Sequence, residues 1–257
     1  MSTTKIKDNY GAPWKREELV LAFDLYCRIP FRKTKASNPE VQLLASLIDR
    51  TPASVARKLG NFGAFDPELK KRNISGLSHG GKLDREIWDE FHKNWNGLVF
   101  KARNLRESLG DKPQDLIEIN FPKGPSEREV KSKQRIHQSF FRQAVLSSYE
   151  NTCCVTGIAI PECLTASHIV PWSVDEKFRT DPTNGLCLSA TFDRLFDNGL
   201  ITITADFNVS ISTKLLKTVG PSFDLICSYH MKPILPPKRF LPSTEHLRWH
   251  FENVFLH

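Results

Sequence analysis

Apolar residues in the first third of the chain recur at helical spacing. Leu19, Phe23 and Tyr26 follow one another at three- and four-residue steps, which predicts an amphipathic helix entered through Pro13. Ser37-Asn38-Pro39-Glu40 reads as a cap in front of a second helix over residues 41–49. Thr51 and Pro52 supply the N-cap and first turn of a third, with Val55, Leu59 and Phe62 facing the core. Ser54, Arg57, Lys58 and Asn61 then point outward, which gives helices two and three the grammar of a helix-turn-helix. A packed three-helix unit with solvated basic side chains is the alternative. Residues 63–82 read as a glycine-rich basic loop ending at Lys82, and Ile87, Trp88, Phe91, Trp95 and Leu98 restore helical spacing over 83–109.

The pattern changes twice more. Residues 111–132 mix prolines, glycines and alternating charges, the composition of a linker, and residues 1–12 are polar and expected to fray. After a helix over 133–149, the period shortens to two. Leu164 to Val170 reads as a strand, and Ile201 to Ser212 as a hairpin turning at Ala205-Asp206-Phe207-Asn208. A strand or loop from Pro233 leads to a closing helix, where His246 and His250 form an i,i+4 pair expected to pack rather than bind metal. The fold class is α+β. A helical, basic domain over 1–110 and a linker over 111–132 precede a mixed domain over 133–257.

Composition sharpens this picture. The net charge is +7, and residues 1–110 hold 20 Lys and Arg against 13 Asp and Glu, while the remainder holds 16 of each. The whole surplus therefore lies ahead of the mixed domain, the distribution a polyanionic partner requires. No apolar run is long enough to span a bilayer and the N-terminus has no apolar leader, so a cytoplasmic protein with no membrane partner is expected. Six cysteines without a Cys-x-x-Cys pair fit reduced thiols. Cys154, Cys163 and Cys187 could converge, with small buried hydrophobes the favoured alternative.

The candidate chemistry lies between Cys153 and Ser212. His168 sits among residues of high β-propensity, Asn184 in a Pro-Thr-Asn-Gly turn, and Asp193 and Asp197 one helical turn apart. Positions i and i+4 share a helix face, so the two carboxylates point the same way and suit Mg²⁺ or Mn²⁺. A neutral imidazole nearby can take a proton from water.

Ser167-His168-Ile169-Val170-Pro171-Trp172 and Asn184-Gly185-Leu186, followed by Phe192-Asp193 and Gly199-Leu200-Ile201, resemble the HNH (ββα-metal) nuclease family, in the wording of a bacterial restriction-endonuclease branch. The resemblance implies a C-terminal nuclease domain in which His168 is the general base. Asn184 fixes its loop, Asp193 holds the third motif position, and Asp197 stands where colicin-type relatives place a further ligand. Relatives often have Asp or His before the base; here Ser167 takes that metal position with a weaker hydroxyl ligand. The implied reaction is Mg²⁺- or Mn²⁺-dependent hydrolysis of double-stranded DNA, with Arg142, Arg179 and Arg194 near enough to meet its backbone. Two further readings stay open: a DNA-binding regulator with a degenerate nuclease fold, and a nuclease for single strands or RNA. A homodimer is expected only because cutting two strands calls for two sites.

Overall fold

The structure, a computed structural model, describes residues 11–74, 80–111 and 128–257, with side chains described from residue 136 onward in the last stretch. The expected linker thus falls, from 112 to 127, outside the described residues. The described chain mixes helices with two small antiparallel sheets, and it divides into two compact units, Met1–Phe140 and Phe141–His257. The division lies inside α7 (Arg128–Ser148), where Phe140 packs with Trp95 and Arg28 of the first unit.

The first unit is built around α1 (Arg16–Arg28). Every residue from Glu18 to Cys27 is buried, so α1 is not the amphipathic helix its spacing predicts. It packs against α2 (Pro39–Leu47), α3 (Pro52–Gly63), α5 (Lys82–Phe91) and α6 (Trp95–Ser108). Two of its three acids, Glu18 and Asp24, go inside because each finds a cation. Glu18 pairs with Arg50 at 2.8 Å, and Asp24 with Arg28 at 2.9 Å and Arg106 at 3.7 Å. Around them Phe23, Tyr26, Phe62, Trp88 and Trp95 form an aromatic core. The α2 and α3 starts fall where their caps lead, Asn38 accepting from the Glu40 N–H and Thr51 from the Ser54 N–H. A short α4 (Pro67–Lys71) interrupts the expected basic loop.

The second unit sandwiches a hairpin between two helices. Strand β1 (Leu164–His168) pairs antiparallel with β2 (Gly185–Ser189), placing His168 opposite Gly185 and Ser167 opposite Leu186. The end of α7 covers one face: a Cβ on Gly185 would stand 2.3 Å from Val145 and 3.0 Å from the Phe141 ring. Helix α8 (Ala190–Asp197) covers the other, and all five β2 residues are buried between them. A second hairpin, β3 (Ile201–Ile203) with β4 (Val209–Ile211), follows as expected. After it come α9 (Thr213–Leu216), α10 (Pro221–Cys227) and the closing α11 (Thr244–Asn253).

Candidate active site

Alternation along β1 sends neighbouring side chains to opposite faces. His168, paired with Gly185, lies on the α7 face, where its ring stacks on Phe141 with centroids 3.6 Å apart and planes 5° apart. Its Nε2 is 3.2 Å from the Arg179 carbonyl, presented by the 3₁₀ turn Glu176–Arg179. A carbonyl only accepts, so Nε2 carries the hydrogen and the neutral ring keeps its lone pair on Nδ1. Nδ1 has no hydrogen-bond partner among the described residues and is not among their buried unsatisfied atoms, which leaves its lone pair available to accept a proton. Burial is the main cause that pulls the His168 pKa down from 6.5 to about 4; the Arg179 carbonyl opposes it and the Arg179 charge adds to it. The imidazole is therefore neutral at pH 7.

Asn184 fixes the backbone beside the histidine. Its Oδ1 accepts from the Val170 N–H at 2.8 Å, its Nδ2 donates to Val170 O at 2.9 Å, and its own carbonyl accepts from the Ile169 N–H. The side chain is fully buried, so this two-point clamp works away from competing water.

Ser167 lies on the α8 face. Its hydroxyl is buried and makes no hydrogen bond of normal geometry, yet it lowers the Asp193 carboxyl, which places the two side by side. Burial outweighs that contribution and the nearby Arg194 charge, so the Asp193 pKa is raised. Asp197, at the exposed end of α8, is raised by desolvation and then by the Asp193 charge. The Asp193 charge destabilises the ionised form of Asp197, and with the unsatisfied Ser167 hydroxyl the two carboxyls are the hard oxygen donors of the kind that could hold a divalent cation. The set is sparse, since no three His, Cys, Asp or Glu side chains converge to hold a metal among the described residues. His168, the next residue along β1, lies on the opposite face of the strand from Ser167.

The expected DNA-contacting residues divide. Arg194 is exposed beside the carboxylates. Arg179 leaves a guanidinium over the Trp172 ring at 4.6 Å, paired with Glu176. Arg142 is used internally, donating to Leu164 O at 2.9 Å. In the first unit Arg57 and Lys82 are exposed, and Ser54 is half-buried at the start of α3. Lys58 and Asn61 differ from expectation. Both turn onto buried Asp84 of α5, at 2.9 and 2.8 Å, because that carboxylate needs donors more than the surface needs charge.

Sequence reasoning missed the Arg179 carbonyl and Phe141. The first carries no residue signature, and the second reads as ordinary core. The cysteine alternative resolves toward packing: Cys153, Cys154 and Cys187 are buried free thiols, Cys163 is exposed, and burial pushes Cys187 up to about 12.

Residues 153–204, about a fifth of the chain, match the family model for HNH endonucleases. They span β1, β2, α8 and β3, so the matched segment contains His168, Asn184, Asp193 and Asp197. No curated protein matches the chain. Among the described residues no helix is long and apolar enough to cross a membrane.

Proposed function

We propose that this protein is a divalent-metal-dependent endonuclease of the restriction type, hydrolysing phosphodiester bonds of duplex DNA with His168 as general base. One observation carries the reading: the Arg179 carbonyl fixes the His168 tautomer that leaves Nδ1 free, within a segment matching HNH endonucleases. A water lying off Nδ1 gives its proton to the ring as its oxygen bonds to phosphorus. The P–O3′ bond breaks, leaving a 5′-phosphate and a 3′-hydroxyl once the leaving oxygen takes a proton from solvent. Asn184 keeps the segment after His168 from shifting during that transfer. Asp193, Asp197 and Ser167 are the residues that would hold Mg²⁺ or Mn²⁺. When bound, that ion supplies positive charge for the phosphate and the departing oxygen. Arg194 and Arg179 are the nearest cations for the phosphate backbone.

The basic surplus of residues 1–110 supports a duplex-binding role for the helical unit, with Arg57, Ser54 and Lys82 as contact candidates. Cutting both strands would bring two copies together, which a mass measurement with and without DNA tests. Ser167 in place of a stronger ligand favours one second reading, a DNA-binding regulator with a degenerate nuclease fold. Incubating the full chain with Mg²⁺ or Mn²⁺ and matched duplex, single-stranded and RNA substrates separates the readings. The duplex should be cut, and a chelator should stop the cutting. Duplex binding without cutting under either ion points to the regulator, and preference for RNA or single strands removes the duplex assignment.

A further inference from the structure

The segment matching the endonuclease family ends at residue 204, yet one element beyond it, α11, touches three parts of the candidate site. Its N-cap residue Ser243 donates its N–H to Thr183 O at 2.9 Å, in the turn that carries Asn184. One turn on, the His246 ring meets Phe178 edge-on with centroids 4.4 Å apart, next to the Arg179 carbonyl that holds His168. A further turn on, His250 reaches α8. Its Nε2 lies 3.2 Å from Phe196 O, and its ring stacks on Phe196 with centroids 3.7 Å and planes 11° apart. Past the helix, the Leu256 N–H bonds to Gly199 O at 2.9 Å. A Cβ on Gly199 would stand 2.1 Å from Val254 O, so that corner admits only glycine.

The protons of His250 follow from its partners. Nε2 donates to the Phe196 carbonyl, so Nδ1 accepts from the fully buried Thr202 hydroxyl at 2.8 Å. Both nitrogens are used and the ring is 2% exposed, which leaves it nothing with which to bind substrate or metal. Helix α8 has eight residues; Phe192 and Phe196 are buried in the core and Leu195 packs against it, so its rotation is set by the hairpin strands together with the His250 ring lying on Phe196.

We propose that His250 is a positioning residue of the nuclease site: it fixes the rotation and height of α8, and with them the placement of Asp193 and Asp197 under Ser167. The inference rests on reading those side chains as the cation site. Its test is Mn²⁺ affinity by electron paramagnetic resonance, together with duplex-cleavage kinetics, on the full chain and two variants. His250→Gln keeps an amide N–H near the Nε2 position; His250→Leu keeps bulk without a donor. The Leu variant should lose about 10- to 100-fold in Mn²⁺ affinity and kcat, with KM for the duplex little changed, and the Gln variant should recover most of both. Wild-type values in the Leu variant would overturn the proposal, as would equal losses in the two variants. Should His250→Leu fail to fold, Thr202→Val removes only the Nδ1 partner. A loss of several-fold in Mn²⁺ affinity is then expected, and no change would overturn the proposal. A wild-type chain that binds no Mn²⁺ and cuts nothing would instead overturn the cation-site reading, and the proposal with it.

Discussion

His168 and His250 solve one problem in the same way. Each ring lies flat on a phenylalanine, Phe141 or Phe196, and each points Nε2 at a main-chain carbonyl. They part at Nδ1: Thr202 occupies that of His250, while that of His168 is left open. One is closed for support and the other open for proton transfer. Both are held neutral by burial, their pKa values drawn down to about 4. For His250 the sign is set by the unfolded chain, which takes up a proton near pH 6.5 while the folded ring does not. Its stabilising contribution is complete above 6.5, and it falls away as the pH drops toward 4, by on the order of 3 kcal/mol in all. Denaturant unfolding between pH 7 and 4 should show this loss in wild type and a flatter curve in His250→Gln, whose side chain does not titrate. An equally steep acid loss in that variant would remove His250 as the cause.

Between the elements, Gly185 is where the hairpin meets α7 without room for a side chain. Its φ is ordinary, so the restriction is contact alone: a methyl there meets Val145 and the Phe141 ring that carries His168. Gly185→Ala should cost roughly 1–3 kcal/mol in unfolding measurements and slow cleavage by displacing Phe141. In the helical unit, α3 offers a matched pair of variants. Lys58→Ala removes the cation from the buried Asp84 carboxylate, leaving it the Asn61 amide and the Gly81 N–H, and should lower stability by about 3 kcal/mol. Arg57→Ala should leave the melting temperature unchanged and weaken duplex binding; the reverse pattern would turn the polymer-facing side of α3 around. The α2 and α3 boundaries are legible in the chain because Asn38-Pro39 and Thr51-Pro52 are local cap signals. The burial of α1 on every side is not legible, since Glu18 and Asp24 look like solvent positions until Arg50, Arg28 and Arg106 are brought to them by tertiary contacts. Short α4, α9 and α10 escape periodicity altogether, and α10 has no buried residue. His168, Asn184, Asp193 and Asp197 stand out by their motif, whereas the carbonyls of Arg179 and Phe196 that orient the histidines belong to the backbone and leave no mark on residue type.

Across the whole molecule, charge is segregated along the chain. The positive surplus lies in residues 1–110, and the carboxylate pair lies on α8. Duplex affinity should therefore fall steeply with salt, by a log–log slope of about −0.9 for each phosphate neutralised, and Arg57→Ala should flatten that slope by about one contact. A slope unchanged in the variant would place the polymer elsewhere. In the proposed reaction the proton leaves water at Nδ1 of His168, and the most direct measurement concerns that atom alone. It is single-turnover cleavage of duplex DNA with saturating Mn²⁺ by wild type and His168→Ala, with binding followed in the same samples. The variant should bind the duplex and Mn²⁺ as wild type does while cleavage is lost. Cleavage at the wild-type rate by His168→Ala would contradict the role given to this imidazole.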